Sequence, residues 1–136
     1  MDEMEPQDAL IHLMIASAAA DGQISGVEQR EFTVLLRTLP VFDGFDESRL
    51  QQIVRDCGDL LDREDGLDTI IQNVRRSVPD NLYETAYALA VEVVSSDIHA
   101  SQPELRLLEM LRDAFNLDRL TAGAIEHSAR VRYRRF

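Results

Sequence analysis

The segment 81–96 admits few folds. Ala86, Ala88, Leu89, Ala90, Val91, Val93 and Val94 make it apolar around most of a helical circumference. A helix of that kind belongs in the middle of a structure, with other elements on every side. Residues 8–20 share this character, broken by few polar side chains. The rest of the chain supplies the cover. Residues 26–39 carry Phe32, Leu35, Leu36 and Leu39 at helical spacing, and residues 47–61 carry Leu50, Ile53, Val54, Cys57 and Leu61. Residues 67–78 carry Leu67, Ile70, Ile71, Val74 and Val78. Each set is one stripe for one core-facing side. Segments 102–115 and 118–132 complete seven predicted helices. Pro40, Gly44, Gly66 and Pro79 fall between the periodic stretches, where helices end. No segment alternates with the period of a strand. The expected fold is all-α, a compact bundle of about seven helices around a buried central helix, forming a single domain over residues 1–136.

A duplication runs through this pattern. Asp21-Gly22-Gln23-Ile24-Ser25-Gly26-Val27-Glu28 returns as Asp97-Ile98-His99-Ala100-Ser101-Gln102-Pro103-Glu104, 76 positions later for the aspartate and for the glutamate alike. The same offset aligns Leu13 with Leu89, Phe32 with Leu108, Leu35 with Leu111 and Leu39 with Phe115. Two pseudo-repeated helical hairpins are therefore expected, each with an acidic bend. Ser25-x-x-Glu28 and Ser101-x-x-Glu104 read as capping boxes, in which Ser accepts from an exposed amide and Glu reaches back. Asp46, Asp80 and Asn81 are further expected caps.

Charge narrows the classes of partner. The formal net charge is −11, and all 14 basic residues are arginine. Four of them, Arg130, Arg132, Arg134 and Arg135, lie in the last seven residues, so the remaining 129 hold 10 basic against 25 acidic side chains. Nucleic acid is a poor partner for such a body, because phosphate contacts need clustered cations. Cations and protein partners with basic surfaces suit it better. The arginine-rich end is the one segment fitted to peripheral contact with anionic lipid. A preference of arginine for helix C-termini and pairing with the acidic body explain it more simply. The acidic start, Met1-Asp2-Glu3-Met4-Glu5, lacks the basic region of a secretory leader, and no apolar run is long enough for a transmembrane segment. A cytoplasmic protein is expected.

The stretch Ala18-Ala19-Ala20-Asp21-Gly22-Gln23-Ile24-Ser25 with Glu28, followed by Ser96-Asp97 with Glu104 and a closing helix, resembles the tellurite-resistance TerB-like family. The resemblance runs from about Ala9 to the last helix. It implies a bundle of about seven helices around a buried centre. It also implies a part in resistance to tellurite and other stresses, and an acidic metal-binding surface. Related domains stand beside J-domains in membrane-anchored co-chaperones. Carried over by position, the family's acidic residues are Asp21, Glu28, Asp97 and Glu104. The second copy departs from the first, with Ile98 where Gly22 stands.

For those four carboxylates the chemistry expected is a hard divalent cation, Ca²⁺ or Mg²⁺, held by oxygen. Capping and turn formation explain the same residues without any ligand. An EF-hand is excluded by position: a loop opened by Asp21 needs its bidentate glutamate where Phe32 stands. His12, His99, His127 and the single Cys57 are too scattered for a zinc set. His12 is expected in the core, and Cys57 as a small buried thiol. The run Asp62-Arg63-Glu64-Asp65 with Asp68 reads as a solvated charge patch. No Gly-rich phosphate loop, GxSxG, HExxH or Cys–His pairing is present. The expected function is a non-enzymatic binding or scaffold module. The alternative is a metal-independent interaction domain regulating a co-chaperone or membrane-associated complex, with an enzyme a more distant third.

Overall fold

Helical periodicity without strand alternation becomes helix along nearly the whole chain. A computed structural model describes residues 4–19, 26–96 and 102–136, with side chains throughout except at 26–29 and 31. Among these residues there are seven α-helices, three short 3₁₀ turns and no strand. The helices are α1 (Pro6–Ala18), α2 (Gly26–Thr38), α3 (Leu50–Leu61), α4 (Gly66–Ser77), α5 (Tyr83–Ser95), α6 (Gln102–Ala114) and α7 (Arg119–Arg132). The 3₁₀ turns, Pro40–Phe42, Glu47–Arg49 and Asp80–Leu82, carry the chain into α3 and α5. The protein is an all-α bundle.

Two helices share the middle. In α5, Ala86, Tyr87, Leu89, Ala90, Val91, Val93 and Val94 are buried, as their pattern requires. In α1 every residue from Ala9 to Ala18 is buried. α1 packs on α3, α4 and α5, and α5 packs on α1, α2, α6 and α7. Burial of this aliphatic core is the main stabilising term, at about 25 cal/mol per Å² of apolar surface removed from water.

The repeat survives in the helix boundaries. α2 and α6 are each 13 residues long and are separated by the same 76 positions as the acidic bends, while α1 and α5 are separated by 77. α1 packs on α6 and α2 on α5, the reciprocal pattern that a pseudo-twofold relation produces. Leu13, Leu35, Leu89 and Leu111 are all buried, in agreement with their alignment.

Several local expectations need correction. Val54 is 44% exposed, so the α3 stripe is Leu50, Ile53, Cys57, Leu60 and Leu61. Asp46 caps as expected, accepting from the Ser48 amide at 3.0 Å. Asp80 and Asn81 do not cap, because the 3₁₀ turn that contains them leads directly into α5. Asp118 does, accepting from the Thr121 amide at 2.7 Å. The connection from α6 to α7 puts Asn116 at φ 51°, a left-handed conformation that asparagine tolerates better than most residues. Gly66 opens α4 hard against the end of α3: a Cβ there would lie 1.9 Å from the Leu60 carbonyl oxygen. No helix among the described residues is long and apolar enough to cross a membrane.

Candidate functional site

The acidic bends come first, because the sequence points to them. Asp21 and Asp97 lie outside the described residues, as do Ser25, Ser101 and His99. Glu28 lies in the first turn of α2, and its side chain is likewise outside the description. Glu104 is described, in the first turn of α6, and it is 0% exposed. A glutamate is almost never fully buried without compensation. The α6 N-terminus supplies part of it, since exposed amides and the helix dipole favour negative charge there. Among the described residues, no group of three or more His, Cys, Asp or Glu side chains comes together to hold a metal ion. Three of the four predicted ligands thus lie outside the described side chains, and the structure places the fourth, Glu104, in the interior.

The other expected bystanders behave as their surroundings dictate. His12 is 3% exposed. Burial lowers its pKa, against the carboxylates of Asp8 and Asp56 and the Ile53 backbone, which favour the charged ring. Cys57 is buried beside it and donates to the His12 carbonyl at 3.6 Å. Burial pushes the Cys57 thiol up to about 12, so it stays protonated and unreactive at neutral pH. The residues Asp62, Arg63, Glu64, Asp65 and Asp68 are all exposed.

A second site has no counterpart in the motif search. α6 and α7 both pack on α5, and a cleft of about 630 Å³ lies over α5 between them. Val91 and Val94 of α5 and Leu105 and Leu108 of α6 give it an apolar lining. Glu126 and Arg130 of α7, one turn apart, stand along the opposite wall, which Tyr133 and Arg134 extend just past the end of that helix. Leu105 is 44% exposed in this cleft.

Two polar clusters hold α7 in place. Tyr87, fully buried on α5, donates to Glu126 Oε2 at 2.5 Å. Arg112 of α6 donates to the same oxygen at 2.9 Å and to the Tyr87 hydroxyl at 3.3 Å. Burial, and then the bond to Glu126, push the Tyr87 hydroxyl up to about 12, which keeps it a donor at neutral pH. The second cluster ties Glu92 of α5 to Arg132 and to the Tyr133 hydroxyl, the latter at 2.9 Å. Sequence reasoning passed over both clusters. A signal was present: Tyr87 and Glu92 interrupt an otherwise aliphatic helix, and polar groups in such places need partners.

The arginine-rich end divides accordingly. Arg130 and Arg132 lie in the last turn of α7, where cations are favoured. Arg132 pairs with the acidic body through Glu92. Arg130 and Arg134 form no ion pair among the described residues, so the simpler explanation of the tail covers only part of it.

A family model described as tellurite resistance protein TerB matches residues 7–127, which is 121 of the 136 positions. Comparison with curated proteins and with solved structures finds no match.

Proposed function

Because the chain belongs to the TerB family, we propose that it is a non-enzymatic binding module of a cytoplasmic stress response of the tellurite-resistance type, and that its acidic bends take up a divalent cation. The observation that carries this reading is Glu104, a carboxylate fully withdrawn from water at one of the two duplicated bends. A buried carboxylate gains most from a cation, because attraction is stronger where water is excluded. Ca²⁺ or Mg²⁺ fits an all-oxygen donor set of Asp21, Glu28, Asp97 and Glu104. Neutralising these charges would bias how the two hairpins pack. Burial keeps the Cys57 thiol and the Tyr87 hydroxyl protonated, so neither of these two groups offers a ready nucleophile.

Calcium and magnesium titrations followed by backbone NMR test the cation. Shifts confined to 21–28 and 97–104, reduced by Glu104→Gln, are the expected result. Silence at Asp21–Glu28 removes the first bend from the site, and silence at both bends removes the cation altogether. A metal-independent interaction domain is the second reading, and the cleft beside α5 favours it. Capture of a protein partner that is indifferent to chelator and to Asp21→Asn would support that reading over the first.

A further inference from the structure

We propose that the cleft between α6 and α7 docks an acidic amphipathic helix of a partner protein. Three features converge on that occupant. The lining is aliphatic and presents Leu105 to solvent at 44% exposure, an apolar invitation in an otherwise highly charged molecule. The wall opposite carries Arg130 in the last turn of α7 and Arg134 just past its end, both exposed and both without an ion pair among the described residues. Glu126 and Arg112 in the same cleft are already committed to each other and Glu109 is paired with Arg106, so Arg130 and Arg134 leave a positive net charge for a ligand. The 127–136 stretch contains four arginines and no acidic residue. This local field is opposite in sign to the body, and screening over about 8 Å in physiological salt lets it govern a close approach.

The shape selects a helix. Leu105, Leu108, Glu109 and Arg112 of α6 line one side at spacings of three and four, and Glu126 and Arg130 of α7, with Tyr133 and Arg134 just beyond its end, line the other. A cleft with an α6 face on one side and these arginines on the other receives apolar anchors spaced i, i+3, i+4 and i+7, with carboxylates flanking them toward α7. A bilayer is a poorer fit, because Leu108, Val91 and Val94 sit at the bottom of a concavity and are at most 7% exposed. The proposal does not involve the acidic bends and goes beyond the cation-binding reading.

The probe is a fluorescein-labelled synthetic peptide of about 16 residues, with leucine at the anchor positions, glutamate on the flanks and alanine elsewhere. Anisotropy is measured against the full chain in the presence of a chelator, with ¹⁵N shift mapping of the protein. Saturable binding is expected, with shifts gathered at 91–95, 105–112 and 126–134. Added salt should weaken it, and a control peptide with lysine for glutamate should not bind. Leu105→Glu and the double variant Arg130→Glu, Arg134→Glu should each weaken binding by about tenfold or more. These positions are exposed, so unchanged melting by circular dichroism verifies that both variants fold. Equal binding by either variant, equal binding of the lysine peptide, or shifts elsewhere would overturn the proposal. Retention on phosphatidylserine vesicles with no peptide binding would overturn it in favour of a lipid surface.

Discussion

α1 and α5 hold matching places in the two hairpins, yet they are covered differently. α1 is enclosed by α3, α4 and α5, and ten successive residues of it are buried. Over its buried length its outer neighbours are joined to it by aliphatic contact and by the Cys57 thiol on the His12 carbonyl, while its polar ties, Asp8 to Arg49 and Gln7 to the Val41 and Asp43 carbonyls, stand at its first turn. On its outer side α5 has α6 and α7, standing apart over it and fastened by two tyrosine–glutamate–arginine clusters. Burial by close-packed helices leaves no room for a ligand. Burial by helices pinned at polar points leaves a cleft. The same hairpin can thus serve as core in one copy and as the floor of a binding surface in the other.

The sharpest way to break this comparison is to empty the two centres. Leu13→Ala and Leu89→Ala remove side chains that are 0% and 1% exposed, and each should destabilise by about 2–5 kcal/mol in chemical denaturation. A much smaller loss at Leu89 would mean that the α5 side is loosely packed and not a true counterpart. Next comes the clamp. Tyr87→Phe removes the hydroxyl that Glu126 and Arg112 share and should lower stability by about 2 kcal/mol. If it is silent, α7 is held by apolar contact alone. Asp118→Ala deletes the α7 cap and should cost about 1 kcal/mol, with faster amide exchange in the first turn of α7.

The enclosed side offers two weaker tests. Asp8 pairs with Arg49 at 2.5 Å, but the pair is solvent-exposed on the arginine side. Asp8→Asn should therefore change the melting free energy by less than about 1 kcal/mol. His12 contributes nothing at neutral pH and emerges only in acid. Its folded pKa lies below the ordinary 6.5, so as pH falls the unfolded chain takes the proton first. Stability should fall below pH 6.5 and level off once the folded ring also protonates. His12→Gln should flatten that part of the pH–stability curve, and an unaltered slope would assign the acid sensitivity to carboxylates instead.

Much of this architecture is legible in the residues. Helical spacing located every helix, because a stripe such as Ile70, Ile71, Val74 records which side meets the core. The duplication was readable because both copies must turn at an equivalent point. Val54 misled because a stripe three residues wide does not reveal its own edge. Asp80 and Asn81 misled because a 3₁₀ turn took up the chain reversal before α5. The cleft was not readable at all. Arg130 and Leu105 are 25 positions apart, and only the separation of α6 from α7 makes them face a common space. The polar clusters join residues still farther apart in sequence, such as Tyr87 and Glu126, 39 positions apart. For the acidic bends, the duplication supplied the residues and the family resemblance fell on the same four, and Glu104 alone acquired a described environment.

Gly66, buried where α3 meets α4, ties that junction to the centre of the molecule. With Leu60 pressed against it, any larger residue must push the last turn of α3 aside. That helix carries Ile53 and Cys57 inward, and the Cys57 sulfhydryl meets the backbone of the most enclosed segment in the protein. An alanine at this one buried corner would thus be transmitted as a wedge, loosening the interior at a distance that its own side chain never reaches.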